Sequence, residues 1–139
     1  MIKTQSAVLT DNAAAVRKLY AAFARHDIQR ILDALAEDVE WIVPGSKEIP
    51  YAGIRRGKTQ VAEFFKSLGR STEINRFEPR EFVSEGERVA VAGYYDGWVK
   101  PTGRRFEEEW VMLWTLRNGK IIRLREYMNP ASLEAAFKK

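Results

Sequence analysis

The sequence predicts a single α+β domain, and three observations carry that reading. Apolar residues recur at helical spacing through the first half of the chain. From Ser71 onward the period changes to two. Asn118-Gly119 then divides a strongly β-forming stretch, Arg105 to Asn129, into two strands. Both central residues of a type I′ turn need positive φ, which Asn-Gly accepts most readily, so this stretch is a long hairpin. At 139 residues one domain, 1–139, is long enough for a real core, with no repeat or linker.

From Thr10 or Asp11, either of which can cap a helix, to about Arg25, the residues Val16, Leu19, Tyr20 and Phe23 form one apolar stripe. Asp27 caps a second helix whose stripe is Ile28, Ile31, Leu32 and Leu35, and His26 sits at the junction as a surface or capping residue. Asp38 to Pro44 reads as a strand with Val39, Trp41 and Val43 on one side. A proline- and glycine-containing loop follows as far as Gly57, with Ile49 and Tyr51 as its apolar contacts. Lys58 to Leu68 is a third helix, closed by Gly69. The run Ala52 to Thr59 imitates a phosphate-binding loop, but Ala52 stands where that motif needs glycine and no buried strand precedes it. Ile74 to Ser84 is a strand that Pro79 confines to an edge or a bulge. Val89 to Lys100 is the next strand, and Pro101-Thr102-Gly103 turns into the hairpin. Asn129 as N-cap and Pro130 at the first helical position start a short final helix packing through Leu133, Ala136 and Phe137.

The hairpin turn sets a register. Pairing Arg117 with Lys120 places Leu116 opposite Ile121, Leu113 opposite Leu124 and Val111 opposite Glu126. Glu109, Val111, Leu113 and Thr115 then share a face with Ile122, Leu124, Glu126 and Met128. Trp110, Met112, Trp114 and Leu116 share the other with Ile121, Arg123, Arg125 and Tyr127. Both faces are apolar enough to require cover.

Composition excludes several classes. Hydrophobic residues at 45% and charged residues at 30% describe a folded soluble protein. No apolar run approaches the roughly 20 residues of a membrane helix. The stretch MIKTQSAVLT lacks the apolar core of about 7–15 residues in a signal peptide, which makes cytoplasmic the expectation. No cysteine and one histidine leave no disulfide framework, no thiolate nucleophile and no multi-histidine metal site within one chain, so neither metal nor cofactor is expected. The net charge of +4 comes from scattered basic residues without a nucleic-acid-binding motif, so neither nucleic acid nor membrane is expected as a partner.

Five phrases, in this order and spacing, carry a resemblance: Leu19-Tyr-Ala-Ala-Phe-Ala-Arg-His-Asp27, Asp38-Val-Glu-Trp-Ile-Val-Pro-Gly45, Tyr51-Ala-Gly-Ile-Arg-Arg-Gly57, Thr102-Gly-Arg104 and Asn118-Gly-Lys-Ile-Ile-Arg-Leu-Arg-Glu-Tyr127. The chain resembles the SnoaL-like branch of the NTF2-like, or ketosteroid-isomerase-like, superfamily. The resemblance implies a cone-shaped, curved antiparallel or mixed sheet wrapped around the N-terminal helices, an apolar pocket, and dimerisation through the convex face. It does not fix a chemistry, because the superfold hosts isomerases, cyclases, hydrolases, dehydratases and non-catalytic proteins. The general-base aspartate of ketosteroid isomerases corresponds to Val43 here, and their second pocket acid falls near Val111. A histidine and an aspartate of many SnoaL-like relatives correspond to Met112 and Asn129. Those acid–base sets are therefore absent.

A four-residue loop at Pro101–Arg104 pairs Asp96 with Glu109 and brings Ala90, Ala92, Tyr94, Asp96 and Trp98 onto the Glu109, Val111, Leu113 and Glu126 face. If that face is concave, Glu126, Glu109 and Asp96 are the candidate catalytic carboxylates. Crowding in an apolar cleft raises the pKa of one of them into the range of a general acid or base. Tyr20, Trp41, Tyr51, Tyr94, Trp98, Val111 and Leu113 are the candidate ligand-binding residues. A bulge in the turn would instead bring Tyr95 inward. The opposite face, with Trp110, Trp114 and Tyr127, is the expected homodimer interface. Two readings follow. One is a homodimeric, cofactor-independent isomerase, cyclase or hydrolase acting on a small apolar molecule. The other is a ligand-binding or assembly module without turnover.

Overall fold

The computed structural model describes residues 2–139, with side chains from Asn12 onward. The elements are α1 (Ile2–Ala24), α2 (Ile28–Asp33), β1 (Leu35–Val43), β2 (Gly53–Arg56), α3 (Lys58–Ser71), β3 (Thr72–Glu85), β4 (Arg88–Val99), β5 (Arg105–Arg117), β6 (Lys120–Tyr127) and α4 (Ala131–Phe137). The strands form one curved, unclosed sheet in the order β2-β1-β6-β5-β4-β3. Every neighbouring pair is antiparallel except β1 with β6, which run parallel. The α+β expectation holds, with a mixed sheet against which the helices pack.

Local chemistry explains most boundaries. Helix α1 begins earlier than its apolar stripe suggests; the side chains of Thr10 and Asp11, expected as caps, lie outside the described ones. From Asn12 on, α1 buries Val16, Leu19, Tyr20 and Ala22. The Asp27 carboxylate caps α2 by accepting from the Arg30 amide at 3.2 Å. Leu35 belongs to β1 and not to the α2 stripe, and Val39, Trp41 and Val43 are buried together as expected. Strand β2, inside the expected loop, is too short and exposed to show alternation. Helix α3 passes through Gly69 and stops at Ser71, where the Thr72 hydroxyl donates to the Leu68 carbonyl at 2.8 Å. Pro79 lies on the edge strand β3 at a register shift, where its missing N–H costs no ladder bond. The N-cap of α4 is Pro130 and not Asn129, one position later than expected; the Asn129 side chain still accepts from the Ala131 amide at 3.0 Å from just outside the helix.

Two registers differ from expectation. Between β4 and β5, Asp96 faces Glu107 and not Glu109, a two-residue slip that leaves each side chain on its face. The second change matters more. Arg117 pairs with Lys120 and Leu116 with Ile121 as expected, but Thr115 then pairs with Arg123. Ile122 is the extra residue of a β-bulge, and every later β6 side chain changes face. Trp114 now meets Leu124, Met112 meets Glu126, and Val111 meets Tyr127.

The concave, helix-covered face therefore carries Trp110, Trp114, Leu116, Ile121 and Leu124, all nearly inaccessible. This corrects the expected interface: Trp110 and Trp114, at 2% and 4% exposure, are core residues with no surface to offer a partner. Tyr127 remains outside. Helix α4 lies against β5, and the Thr102 hydroxyl, in the turn between β4 and β5, donates to the Ala136 carbonyl at 2.6 Å.

Candidate active site

The curved sheet and the helices enclose a cavity of about 90 Å³, lined almost entirely by apolar and aromatic side chains. Helix α1 contributes Leu19, Tyr20 and Phe23; α3 contributes Phe64, Phe65 and Leu68; the sheet supplies Trp41, Phe77, Tyr95, Met112 and Trp114. Stacked and edge-on rings fix these walls. Phe77 stacks on Trp110 at 5.2 Å, Tyr20 meets Trp114 edge-on at 5.7 Å, and Trp41 packs on Phe64 and Phe65, each at 5.6 Å.

Among the described residues one acid lines this cavity, Glu126. It is 6% exposed, and no hydrogen bond or ion pair reaches its carboxyl among the described residues. Burial without a partner disfavours the charged form, and nearby Glu108 adds repulsion, so its pKa is pushed up to about 8. Glu108 is itself raised by burial and by Glu107, and one of its carboxyl oxygens is buried without a partner. Being less buried it ionises first, and its charge then opposes ionisation of Glu126.

Three tyrosines surround the acid, and burial raises each hydroxyl far above its usual value, so they stay neutral. The Tyr20 hydroxyl is engaged, accepting from Trp114 Nε1 at 2.9 Å and donating to Met112 Sδ at 3.3 Å. The hydroxyls of Tyr51 and Tyr95 have no hydrogen bond among the described residues, and both feel the Glu126 charge. They are free donors beside a neutral carboxyl.

Of the residues expected at the site, the structure brings Glu126, Tyr20, Trp41 and Tyr51 together. Glu109, Asp96, Tyr94, Trp98, Val111 and Leu113 do share one face, but it is the convex one. Asp96 is held there by Asn75 Nδ2 at 3.0 Å, the Tyr94 hydroxyl at 2.9 Å and Arg76 at 3.6 Å. Those partners, Asn75 foremost, keep its carboxyl below the usual range, the opposite of a cavity base. Tyr94 is correspondingly pushed up to about 12, chiefly by its bond to Asp96. Trp98 and Val111 are 37% and 40% exposed. The reading of the sequence brought Tyr95 inward only as the alternative with a bulged turn, and it missed Trp114 and Met112 as cavity residues. The alternation Val89, Val91, Tyr95, Val99 on β4 is a stronger signal of a buried side than Ala90 and Ala92 on the other.

Comparison with known proteins agrees with this architecture. The profile described as the SnoaL-like domain matches residues 16–124. An uncharacterised protein of Mycobacterium tuberculosis is 30% identical over 121 residues, covering 86% of this chain and 91% of its own. A crystal structure of an NTF2-like protein from Burkholderia xenovorans superposes with a TM-score of 0.85 at 39% identity, over 94% of this chain and 98% of that one. TerC, crystallised with polyporic acid, superposes with a TM-score of 0.82 at 28% identity, over 93% and 99% of the two chains.

Proposed function

We propose a function from one premise: the chain belongs to the SnoaL-like domain family. The cavity receives a small, mostly apolar, ring-sized molecule bearing a carbonyl, and Glu126 moves a proton on it without a cofactor. The observation that carries this reading is the unpartnered Glu126 carboxyl in an aromatic cavity. A structural acid is normally paired; this one faces the cavity without a protein partner among the described residues, and a pKa near 8 suits proton transfer near neutral pH. In the reaction, the Tyr51 and Tyr95 hydroxyls donate to the carbonyl oxygen. The ionised Glu126 takes a proton from the adjacent carbon, and the C–H electron pair passes to the enolate. The protonated Glu126 then returns the proton at the same or a conjugated carbon, which is exchange or isomerisation. The relative crystallised with polyporic acid supports reading the cavity as a small-molecule site.

The test is deuterium exchange into the methyl group of acetophenone in D2O. Wild type should catalyse it, with a rate rising about tenfold per pH unit and levelling above about 8. Glu126→Gln should lower it by roughly 10²–10⁴-fold. Binding of acetophenone without exchange by either form would instead identify a module that holds its ligand without turnover.

The homodimer is also proposed, now through the convex face. Ile54, Val83, Trp98, Val111 and Tyr127 are its exposed large apolar side chains among the described residues, at 59%, 67%, 37%, 40% and 45%. Sedimentation at micromolar concentration should show a dimer that Val111→Glu dissociates; a monomeric wild type would reject it.

A further inference from the structure

A second, larger cavity of about 760 Å³ lies between the ends of α1, α2 and α3 and strand β3. Six side chains line both this outer chamber and the Glu126 cavity: Tyr20, Phe23, Phe65, Leu68, Ile74 and Phe77. The two chambers are thus the two sides of one aromatic neck, in which Phe23 lies 4.9 Å from Phe77 and 6.3 Å from Phe65. Their chemistry differs. The inner chamber has one acid among apolar rings, whereas the outer one is edged by His26, Thr72, Glu73, Asn75 and Lys100.

Lys100 is the outer chamber's lysine or arginine among the described residues. Its ammonium donates to the Gly69 carbonyl at 2.7 Å and forms a loose, half-exposed ion pair with Glu73 at 3.8 Å, which a ligand carboxylate would have to share or displace. Three N–H donors with one engaged leave capacity for a ligand acceptor. The inner chamber is well below the volume of about 300–1,000 Å³ that typical small-molecule sites occupy, while the two together fall within it.

We infer that the protein binds an elongated, two-part molecule: a single-ring head beside Glu126, and a tail that passes within the rim of the six shared side chains, where Phe23 and Phe77 are themselves in contact, and ends in an acceptor such as a carboxylate at Lys100. The inference rests on the cavity reading above and adds the tail and its recognition. The test is calorimetric binding of three probes: p-cresol, p-pentylphenol and ω-(p-hydroxyphenyl)pentanoic acid. The carboxylate-tailed probe should bind at least about tenfold tighter than p-cresol, as a charge-assisted hydrogen bond plus buried methylenes requires. Lys100→Met should remove about tenfold from that probe and leave p-pentylphenol within about twofold. Equal affinities for the three probes, or an equal loss for both tailed probes in Lys100→Met, would overturn the inference while leaving the inner-cavity reading standing. Failure of all three to bind would overturn both.

Discussion

Glu126→Gln should flatten the dependence of stability on pH and leave the variant more stable than wild type in mild alkali. Below pH about 4.5, Glu126 carries its proton in both the folded and the unfolded chain, and its ionisation contributes no difference. Between 4.5 and about 8 the unfolded chain releases the proton and the folded chain keeps it. The folded state then binds more protons, so stability falls as pH rises through that window and falls no further above it. At about 1.4 kcal/mol per pH unit the loss is on the order of 5 kcal/mol, a large share of a small domain's stability. Glutamine keeps the shape and a polar group but cannot ionise. Denaturant unfolding at pH 5 and at pH 8.5 should show a wild-type loss of several kcal/mol that the variant lacks. A group whose removal stabilises the protein while abolishing its chemistry has the profile of a functional residue. Parallel curves for the two proteins would mean that Glu126 ionises normally.

Gly93→Ala should destabilise strongly, as should Gly97→Ala, where an added Cβ would run into the Glu73 backbone carbonyl. A Cβ at Gly93 would run into the Trp110 ring and stand 2.6 Å from the Glu78 carbonyl. The carbonyl belongs to β3 backbone paired across the sheet and cannot withdraw without breaking that pairing. The indole is 2% exposed and stacked on Phe77, so it cannot withdraw without disturbing the cavity wall. The cost should be at least about 3 kcal/mol, seen as a melting midpoint lower by roughly 10 °C. Gly69→Ala is the control. It lies inside α3 with nothing within 4 Å of an added Cβ, so it should be neutral or stabilising by about 0.5–1 kcal/mol. Equal stabilities for Gly93→Ala and wild type would show that Trp110 is not packed across Gly93.

The fold was legible because its signals are local and repeated. The Tyr20 and Phe23 stripe, the Asn118-Gly119 turn, the Asp27 cap and the Asn129 bond to the Ala131 amide each act within a few residues. The site was half legible, for a physical reason. Face assignment along a hairpin depends on every residue between the turn and the site, and one unpaired residue, Ile122, inverts it. Glu126 reached the cavity through two compensating errors: the wrong β5 face was taken as concave, and the bulge that carries β6 across was not foreseen. Glu109 and Asp96 had no bulge to move them and lie on the convex face. A trace of the bulge is present in the sequence. A strict period of two puts Arg123 and Arg125 beside Trp110 and Trp114, whereas Arg123 in fact pairs with Glu40 at 3.1 Å. Tyr95 was readable from the β4 alternation, whereas the free hydroxyl of Tyr51 could not be read locally, since it joins the site only when the sheet curls over α3.

The most direct measurement is a carboxyl ¹³C NMR titration of protein labelled at glutamate, with Glu126→Gln assigning the resonance. The account predicts one glutamate carboxyl that titrates near 8 and is missing from the variant spectrum. If every glutamate carboxyl has titrated by about pH 5.5, within the ordinary spread for that side chain, Glu126 is an ordinary ionised acid and the proposed chemistry loses its basis.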